Sequence, residues 1–301
     1  MLLILTNSID GTSDEIVRRV GAARVFRFNI DLWREYTFEI SADGFSLSDP
    51  SGRCINSHDV TVCYIRKPTF DDPLAVPEGG CLEAWIRSQI SYICREIYNI
   101  CNRDGKVRLV EKGAELRLGK VVQMRLASKY FQVPQWRIIK SAAPIAARTP
   151  MVTKPLVADF VEDYRVLYTT EVVPEELDLS FPWLLQQQIK AESDLTVVYV
   201  AGKCFGFSLD RGSFSGVDWR KCINKVELPW KPYVLSDRFA QNILDFMVEA
   251  GLSFGRLDFL ATGDDINFLE VNPNGQWAWL DANGTNGVFD AVVEALTEGW
   301  N

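Results

Sequence analysis

The chain has 301 residues, of which 47% are hydrophobic and 24% are charged, as is typical of an ordinary globular protein with two or three subdomains. Its 40 acidic and 32 basic residues give a formal net charge of −8, which argues against nucleic acid as the main partner, because neutralising phosphates requires a basic surface. Seven cysteines without a Cys-x-x-Cys pair and a single histidine argue against a disulfide framework, a zinc site and histidine-based catalysis, and favour a reducing cytoplasm.

The first third of the chain alternates short apolar runs with helical patterns, which predicts an α/β module. The apolar residues at its start are too few for a signal peptide, and no later run is long enough to cross a membrane. Ser13 or Asp14 is predicted to cap a helix that ends near Val20. Strands are predicted at residues 2–5, 24–28, 37–40, 45–47 and 60–65.

A long helix is predicted over residues 82–102, since apolar residues recur there at helical spacing. The face that they form contains Trp85, Ile86, Ile90, Ile93, Cys94, Ile97, Ile100 and Cys101. Its two cysteines are interpreted as small hydrophobes rather than reactive thiols. Before this helix, the strand at 60–65 ends in Arg66 and Lys67, which either orient an acidic substrate in a cleft or form a solvated basic pair.

The middle of the chain carries two lysines in apolar surroundings. Lys120 lies near the middle of a helix predicted over residues 111–130. Lys154 lies on a strand predicted over residues 150–156, where a lysine must find a partner or lose its charge. The next predicted elements are a strand at 132–139, a turn at 159–164 and strands at 165–170 and 181–190.

The C-terminal third is predicted to contain a hairpin, a helix and a second hairpin, followed by a last helix. Ser236 is predicted to cap the first of these helices and Gly251 to end it. The predicted elements are strands at 193–200 and 204–209, a loop at 230–234, a helix at 237–250, strands at 256–260 and 266–271, and a helix at 288–298.

The second hairpin carries a candidate metal site. Asp258 lies inside its first strand, and Glu270 and Asn272 lie at the end of its second strand. A carboxylate flanked by Leu257 and Phe259 needs a partner, because an unpaired charge is costly among apolar neighbours. Two carboxylates and an amide supply only oxygen ligands, which suits a Mg²⁺ ion shared with substrate phosphates. A hairpin with solvated acids is the alternative interpretation.

Several segments of the chain resemble a known family. Arg-Leu-Asp-Phe at 256–259 and Phe-Leu-Glu-Val-Asn-Pro at 268–273 resemble the C-terminal end of ATP-grasp ligases. The continuation Asn-Gly-Gln-Trp at 274–277 resembles a narrower branch, the microviridin-type (graspetide) ligases that macrocyclise ribosomal peptides. Further similarity to the same family is found at residues 27–33, 64–68, 120–134, 151–156, 183–200 and 217–220.

The resemblance implies a fold class and a set of site residues. The fold is expected to be α/β (α+β), with an N-terminal α/β subdomain at 1–110 and two α+β ATP-grasp subdomains at 111–185 and 186–301 that clamp ATP. The site residues that it implies are Asp258, Glu270 and Asn272 for Mg²⁺, Lys120, Lys154, Gln187, Gln188, Ile189 and Asp194 for ATP, and Arg220 and Arg256 for catalysis. The family has an arginine where this chain has Thr196, and Arg220 is the better candidate to replace it, with Arg211 as the other.

The function implied by the resemblance is ATP-dependent ligation through an acyl phosphate, yielding ADP and phosphate. In the microviridin-type branch, Asp or Glu side chains of a precursor peptide are joined to Ser, Thr or Lys side chains, and a leader peptide activates the enzyme. The exposed edges of the hairpin at 196–209 are the expected leader site. A ligase for small amino acids or dipeptides and a nucleotide-binding protein without ligase activity stay open as alternatives. The oligomeric state is also open, with a homodimer as one option.

Overall fold

The structure is a computed structural model that describes residues 1–70, 80–140, 150–156, 160–161, 165–166, 168–173, 176–178, 180–222 and 229–300. In its N-terminal part a parallel sheet has the order β2-β1-β6, and an antiparallel sheet has the order β3-β4-β5. The elements are β1 (Leu2–Thr6), α1 (Gly11–Val20), β2 (Val25–Asn29), β3 (Thr37–Ser41), β4 (Gly44–Ser48), β5 (Cys54–Asn56), β6 (Val62–Ile65) and α2 (Gly80–Arg103).

Two predictions for the N-terminal helices were wrong in detail. The cap of α1 is Asp10, whose side chain accepts a hydrogen bond from the Ser13 backbone N–H, so Ser13 and Asp14 lie within the helix. Trp85 is 59% exposed, although α2 buries Ile90 and both cysteines of its predicted face. Trp85 lies five residues before Ile90 and therefore about 140° around the helix from it, outside the stripe that packs on the sheet.

The central part of the chain forms an antiparallel sheet with the order β11-β8-β12-β7, and β9 and β10 form a separate pair. The elements are α3 (Ala114–Arg117), α4 (Lys120–Ala127), β7 (Trp136–Ile139), β8 (Met151–Lys154), β9 (Phe160–Val161), β10 (Arg165–Val166), β11 (Thr170–Val172) and β12 (Trp183–Gln187).

The helix predicted over residues 111–130 is broken in two. Gly119 has an extended backbone and forms the N-cap of α4, so Lys120 is the first residue of that helix rather than a residue near its middle. The strand predicted over 165–170 is divided between β10 and β11. The turn predicted over 159–164 lies outside the described residues, apart from 160–161.

The C-terminal part forms an antiparallel five-stranded sheet with the order β15-β14-β13-β16-β17. The elements are β13 (Ser193–Val200), β14 (Lys203–Asp210), β15 (Lys231–Tyr233), α5 (Asp237–Ala250), β16 (Phe254–Thr262), β17 (Asp265–Asn272) and α6 (Val288–Thr297). The bounds of α5 confirm the predicted cap at Ser236 and the predicted end at Gly251, whose φ is +66°.

The loop predicted over 230–234 contains the edge strand β15, where a proline is tolerated because one side of the strand is unpaired. This strand also changes the expectation for the hairpin at 196–209. Strand β13 is paired on both sides, and β15 covers β14 along Gly206–Ser208, so the hairpin offers only the ends of β14 as free edge. In the described parts of the chain, no helix has the length and apolar character needed to cross a bilayer.

The two faces of the C-terminal sheet have different roles. Leu195 and Val197 pack with α5 in one hydrophobic cluster. Because side chains alternate along a strand, Asp194 and Thr196 point to the opposite face. Further along β13, Val198 on that face joins the core that the N-terminal sheet shares with α6. A polar area is therefore left on this face of the sheet, next to the N-terminal part.

Candidate active site

The three predicted metal ligands lie together on two paired strands. Asp258 of β16 is opposite Glu270 of β17, and Arg256 is opposite Asn272. The amide nitrogen of Asn272 donates hydrogen bonds to Asp258 Oδ2 at 3.4 Å and to Glu270 Oε1 at 3.3 Å. The side chains of Asp258 and Glu270 are each 23% exposed, so both carboxylates are largely shielded and still open to a cleft.

The chemistry of this set fits a hard divalent cation. In the described part of the chain, no three His, Cys, Asp or Glu side chains are placed to hold a metal ion together, so a cation here relies on two carboxylates and one amide. The amide orientation is set by its hydrogen-bond partners. Rotation of the Asn272 side-chain amide presents its oxygen in place of its nitrogen. Three oxygen ligands with room for water and phosphate are what Mg²⁺ uses.

Two lysines from the central part of the chain face the carboxylates. Lys120 Nζ lies 3.6 Å from Glu270 Oε2. Burial opposes the ionisation of Glu270, but the charges of Lys120, Lys154 and Arg220 and the hydrogen bond from Asn272 together more than offset it, and the pKa of Glu270 falls to about 2. Burial lowers the pKa of Lys154, although Glu270 attracts its charge. Glu270 therefore stays ionised, and the two lysines beside it supply the positive charge that suits a triphosphate.

The two arginines assigned to catalysis differ in how their donors are used. Arg220 donates to both oxygens of Asp218, through Nε at 2.8 Å and Nη2 at 2.7 Å, and these bonds raise its pKa above the usual value. Arg256 donates to both oxygens of Asp258, and its Nη1 donates to Gln276 O at 2.9 Å. The Arg220 side chain is 46% exposed and that of Arg256 only 13%, so Arg220 has more freedom to contact a ligand.

Asp194 is a buried carboxylate with spare hydrogen-bonding capacity. It is 8% exposed, and its Oδ2 has no hydrogen-bond partner among the described residues. The nearest cation is Arg211, whose Nε lies 3.5 Å from Oδ2, a distance that allows electrostatic attraction without a short hydrogen bond. Burial raises the pKa of Asp194 to about 6, against the charge of Arg211. A carboxylate of this kind is able to accept a proton near neutral pH.

Gln187, Gln188 and Ile189, which the resemblance assigns to ATP, lie at the end of β12 and directly after it. The backbone N–H groups of Gln187 and Gln188 are already used, since they donate to Gln135 O at 2.7 Å and to Pro150 O at 2.9 Å. Within the described part of the chain, the backbone of Ile189 makes no hydrogen bond. Of the three predicted residues, Ile189 therefore has both backbone groups available for the edge of a base.

A single cleft of about 810 Å³ is lined by all eleven predicted site residues. It is also lined by Lys67, whose backbone φ is +45° and whose carbonyl accepts a hydrogen bond from Asn7 Nδ2 at 3.1 Å.

Neither interpretation of Arg66 was right, because Arg66 is 0% exposed and binds the turn at 274–276 instead of lining the cleft or facing solvent. Asp218, which orients Arg220, was missed as a partner, although the Asp-Trp-Arg spacing places the two side chains within reach.

The sequence matches no family model and no curated protein, whereas the structure matches solved structures over nearly its whole length. The macrocyclase MdnC from Microcystis aeruginosa, bound with the precursor peptide MdnA, is 23% identical, with a TM-score of 0.79 and coverage of 99% of both chains. A RiPP-associated ATP-grasp ligase from Chryseobacterium gregarium, in complex with ADP and a leader and core peptide, is 21% identical, with a TM-score of 0.81 and coverage of 100% of this chain and 97% of that chain.

A more distant neighbour is D-alanine–D-alanine ligase from Bacillus anthracis complexed with ATP. It is 10% identical, with a TM-score of 0.54 and coverage of 98% of this chain and 96% of that chain. Two of these three neighbours are ligases, one solved with ADP and the other with ATP. A match of this extent confirms the predicted architecture: the protein has the ATP-grasp fold.

Proposed function

We propose that the protein is an ATP- and Mg²⁺-dependent carboxylate ligase that cross-links Asp or Glu side chains to Ser, Thr or Lys side chains of a ribosomally made precursor peptide. The observation that carries this proposal is the single cleft that joins Lys120 and Lys154 to three arginines and to the Asp258–Glu270–Asn272 set. A peptide substrate is favoured by two structural neighbours, one solved with a precursor peptide and the other with a leader and core peptide.

In the first half-reaction a substrate carboxylate attacks the γ-phosphorus of ATP, ADP leaves, and an acyl phosphate forms. Asp258, Glu270 and Asn272 are the residues that would hold Mg²⁺, which supplies charge neutralisation on the phosphates. Lys120 and Lys154 bind the triphosphate as point charges. The fork of Arg220, with Nη1 unused by the described residues, suits the phosphate being transferred. Such a reaction depends mainly on positioning and charge stabilisation.

In the second half-reaction the acceptor hydroxyl or amine attacks the acyl carbon and a new ester or amide bond forms. The bond between the acyl carbon and the phosphate oxygen breaks, and phosphate leaves with its electron pair. The acceptor gives up one proton, and Asp194 is the residue suited to take it, because burial has raised its pKa to about 6. Asp194 then serves the acceptor rather than the nucleotide, which refines its predicted role. Arg256, with its donors committed to Asp258 and Gln276, serves the metal ligand.

Mass spectrometry tests the proposal. The purified protein, ATP and Mg²⁺ are incubated with a candidate precursor peptide, sought among short peptides encoded beside the protein's own gene, and the product is expected to be lighter by one water for each bond formed. ADP and phosphate are expected in equal amounts with those bonds. Omission of ATP or addition of a chelator should leave the peptide unchanged. Steady ADP release with no change in peptide mass would contradict the proposed cross-linking.

A ligase for small amino acids or dipeptides is the second candidate, because the fold also matches D-alanine–D-alanine ligase at a TM-score of 0.54. ADP release that depends on free amino acids, and not on the peptide, would support it.

The third candidate, a nucleotide-binding protein without ligase activity, rested on Thr196 in place of an arginine. Arg211, Arg220 and Arg256 all line the same cleft, so the chain does not lack a guanidinium there. A cytoplasmic location and a homodimer are kept as proposals.

A further inference from the structure

Arg66 is a fully buried arginine that connects the N-terminal sheet to the turn at 274–276, which follows β17. It follows β6 directly and is 0% exposed. Its Nη1 donates to Asn274 Oδ1 at 2.9 Å, to Asn274 O at 3.3 Å and to Gly275 O at 3.4 Å, and its Nη2 donates to Gln276 Oε1. Among the described residues, every hydrogen bond of this guanidinium therefore reaches one three-residue turn that lies more than 200 residues away in sequence.

The partners of Arg66 are neutral. The nearest carboxylate oxygen is Asp10 Oδ1, 4.0 Å from Nε, and Nε itself has no hydrogen-bond partner among the described residues. Asp10 is also occupied as the cap of α1. A permanent charge that is buried without a close counter-ion is costly, and its retention is poor evidence for added stability. A role in fixing the geometry of what it binds accounts for it better.

The turn bound by Arg66 is packed closely against β16 and β17, the strands that carry the predicted metal ligands. It begins two residues after Asn272, and the Gly275 N–H donates to Asn272 O at 3.1 Å. A Cβ at Gly275 would lie only 2.9 Å from Arg256 Cβ and 3.1 Å from Asn272 Cβ, so the turn touches both side chains. The carbonyl of Gln276 accepts from Arg256 Nη1 at 2.9 Å, and Arg256 in turn holds Asp258.

We propose that Arg66 is a positioning residue for the nucleotide–metal site. By binding the turn at 274–276, it lets the N-terminal part of the chain fix the orientation of Asn272 and Arg256, and through Arg256 that of Asp258. The inference rests on the proposed function, because it assumes that these residues bind a metal–nucleotide complex. It assigns the N-terminal part a role in metal binding although none of the predicted metal ligands belongs to it. Partners of this kind, which orient the ligands of a metal, commonly change its affinity by about 10- to 100-fold.

Calorimetric titration of ADP, with and without Mg²⁺, tests the role of Arg66 and needs no peptide substrate. The wild-type protein is expected to bind ADP more tightly when Mg²⁺ is present. In Arg66→Met this tightening should shrink by about tenfold. The affinity for ADP without Mg²⁺ should stay within about twofold, since the described hydrogen bonds of Arg66 go to the turn at 274–276 and not to Ile189, Lys120 or Lys154. Arg66→Lys should show the same loss, because an ammonium group cannot reproduce the fork.

Arg27→Met is the matched control. Arg27 is also largely buried on the N-terminal sheet, with a side chain 17% exposed, and it binds Asp14 and Asn7 O within that part of the chain. Its loss should leave the effect of Mg²⁺ unchanged. If Arg66→Met does not fold, Gln276→Met removes one acceptor from the exposed side of the turn and should still reduce the Mg²⁺ effect several-fold.

The outcomes separate this inference from the proposed function. Folded Arg66 or Gln276 variants that keep the full Mg²⁺ effect would overturn the positioning role and leave the ligase proposal intact. An equal loss of ADP affinity with and without Mg²⁺ would also overturn it, since that pattern indicates a general defect. A wild-type protein that binds no ADP, or binds it with no effect of Mg²⁺, would overturn the proposed function and the inference together.

Discussion

Thr196 donates a hydrogen bond of 2.7 Å to Asp258 Oδ1, directly across the β13–β16 strand pair. Its hydroxyl also lies 3.3 Å from Leu257 O. The family that the sequence resembles has an arginine at this position. Here Thr196 binds Asp258 as a hydroxyl donor, and Arg256, on the same face of β16, donates to the other oxygen of the same carboxylate.

Thr196→Val is expected to weaken metal binding without unfolding the protein. Valine has nearly the same shape, but it leaves Asp258 Oδ1 without its hydroxyl donor, and hydrogen bonds to charged groups contribute about 1.5–3 kcal/mol. The Mg²⁺ concentration that half-saturates ATP turnover should rise about tenfold. Thr196→Ser keeps the donor and serves as the control. An unchanged Mg²⁺ requirement in the valine variant would show that the bond does not support the metal site.

Glu270→Gln is expected to abolish most of the activity while sparing the fold. The variant removes one charge from the cation site, and the loss of transition-state stabilisation should be several kcal/mol, which corresponds to a fall in kcat of about 100-fold or more. A chelator should abolish wild-type turnover, and added Mg²⁺ should restore it. Near-normal turnover of the variant at saturating Mg²⁺ would place the metal elsewhere.

The two arginines are expected to fail in different ways when each is replaced by lysine. Arg220→Lys should lower kcat by about tenfold or more with little change in the Mg²⁺ requirement, because its fork is assigned to the transferred phosphate. Arg256→Lys should raise the Mg²⁺ requirement, because it loses the two-point contact with Asp258. Kinetic titrations of ATP and Mg²⁺ check both variants, and identical profiles would refute the division of roles.

Asp194 is expected to reduce stability at neutral pH. Burial raises its pKa from 3.8 to about 6, so the favourable contribution of its protonated form is fully present below about pH 4 and is lost as the pH rises through 6. Asp194→Asn should be more stable than wild type at pH 8, by at most about 3 kcal/mol, and equal to it near pH 3.5. Urea unfolding at the two pH values measures the difference.

The same variant should lose ligation, because an amide cannot take the acceptor proton. Asp194→Asn should still release ADP if the acyl phosphate forms and is hydrolysed. A variant that is less stable at pH 8 would show that the attraction of Arg211 outweighs burial, contrary to the direction expected here.

Gly275→Ala is expected to disturb the metal site sterically. The new Cβ would meet Arg256 Cβ at 2.9 Å and Asn272 Cβ at 3.1 Å, and neither is the far end of a flexible side chain. A loss of about 1–3 kcal/mol in the free energy of unfolding is expected, together with weaker Mg²⁺-dependent ADP binding. Gly11→Ala, where nothing lies within 4 Å of a new Cβ, is the control for both measurements. Equal results for the two variants would contradict the close packing of the turn.

The sequence by itself determined the features that depend on neighbouring residues. Asp258 and Glu270 lie on strands joined by one short turn, which was enough to predict that they lie close together. The irregularity between Asp258 and Phe259 that places the two directly opposite each other is seen only in the structure. The bounds of α5 followed from Ser236 and Gly251, because caps act within one turn of the helix. These features need no knowledge of distant parts of the chain.

Only the tertiary structure decided the features that depend on distant partners. From the sequence alone, Arg66 is a basic residue at the end of a strand. Its burial depends on the turn at 274–276, 208 residues later in the chain, which packs against it. Trp85 matches the helical spacing but lies off the stripe that the sheet selects. Asp194 acquires its raised pKa from burial under other segments. Spacing along the chain specifies which way a side chain points on its own element, whereas burial and pairing are set by whichever elements pack against it.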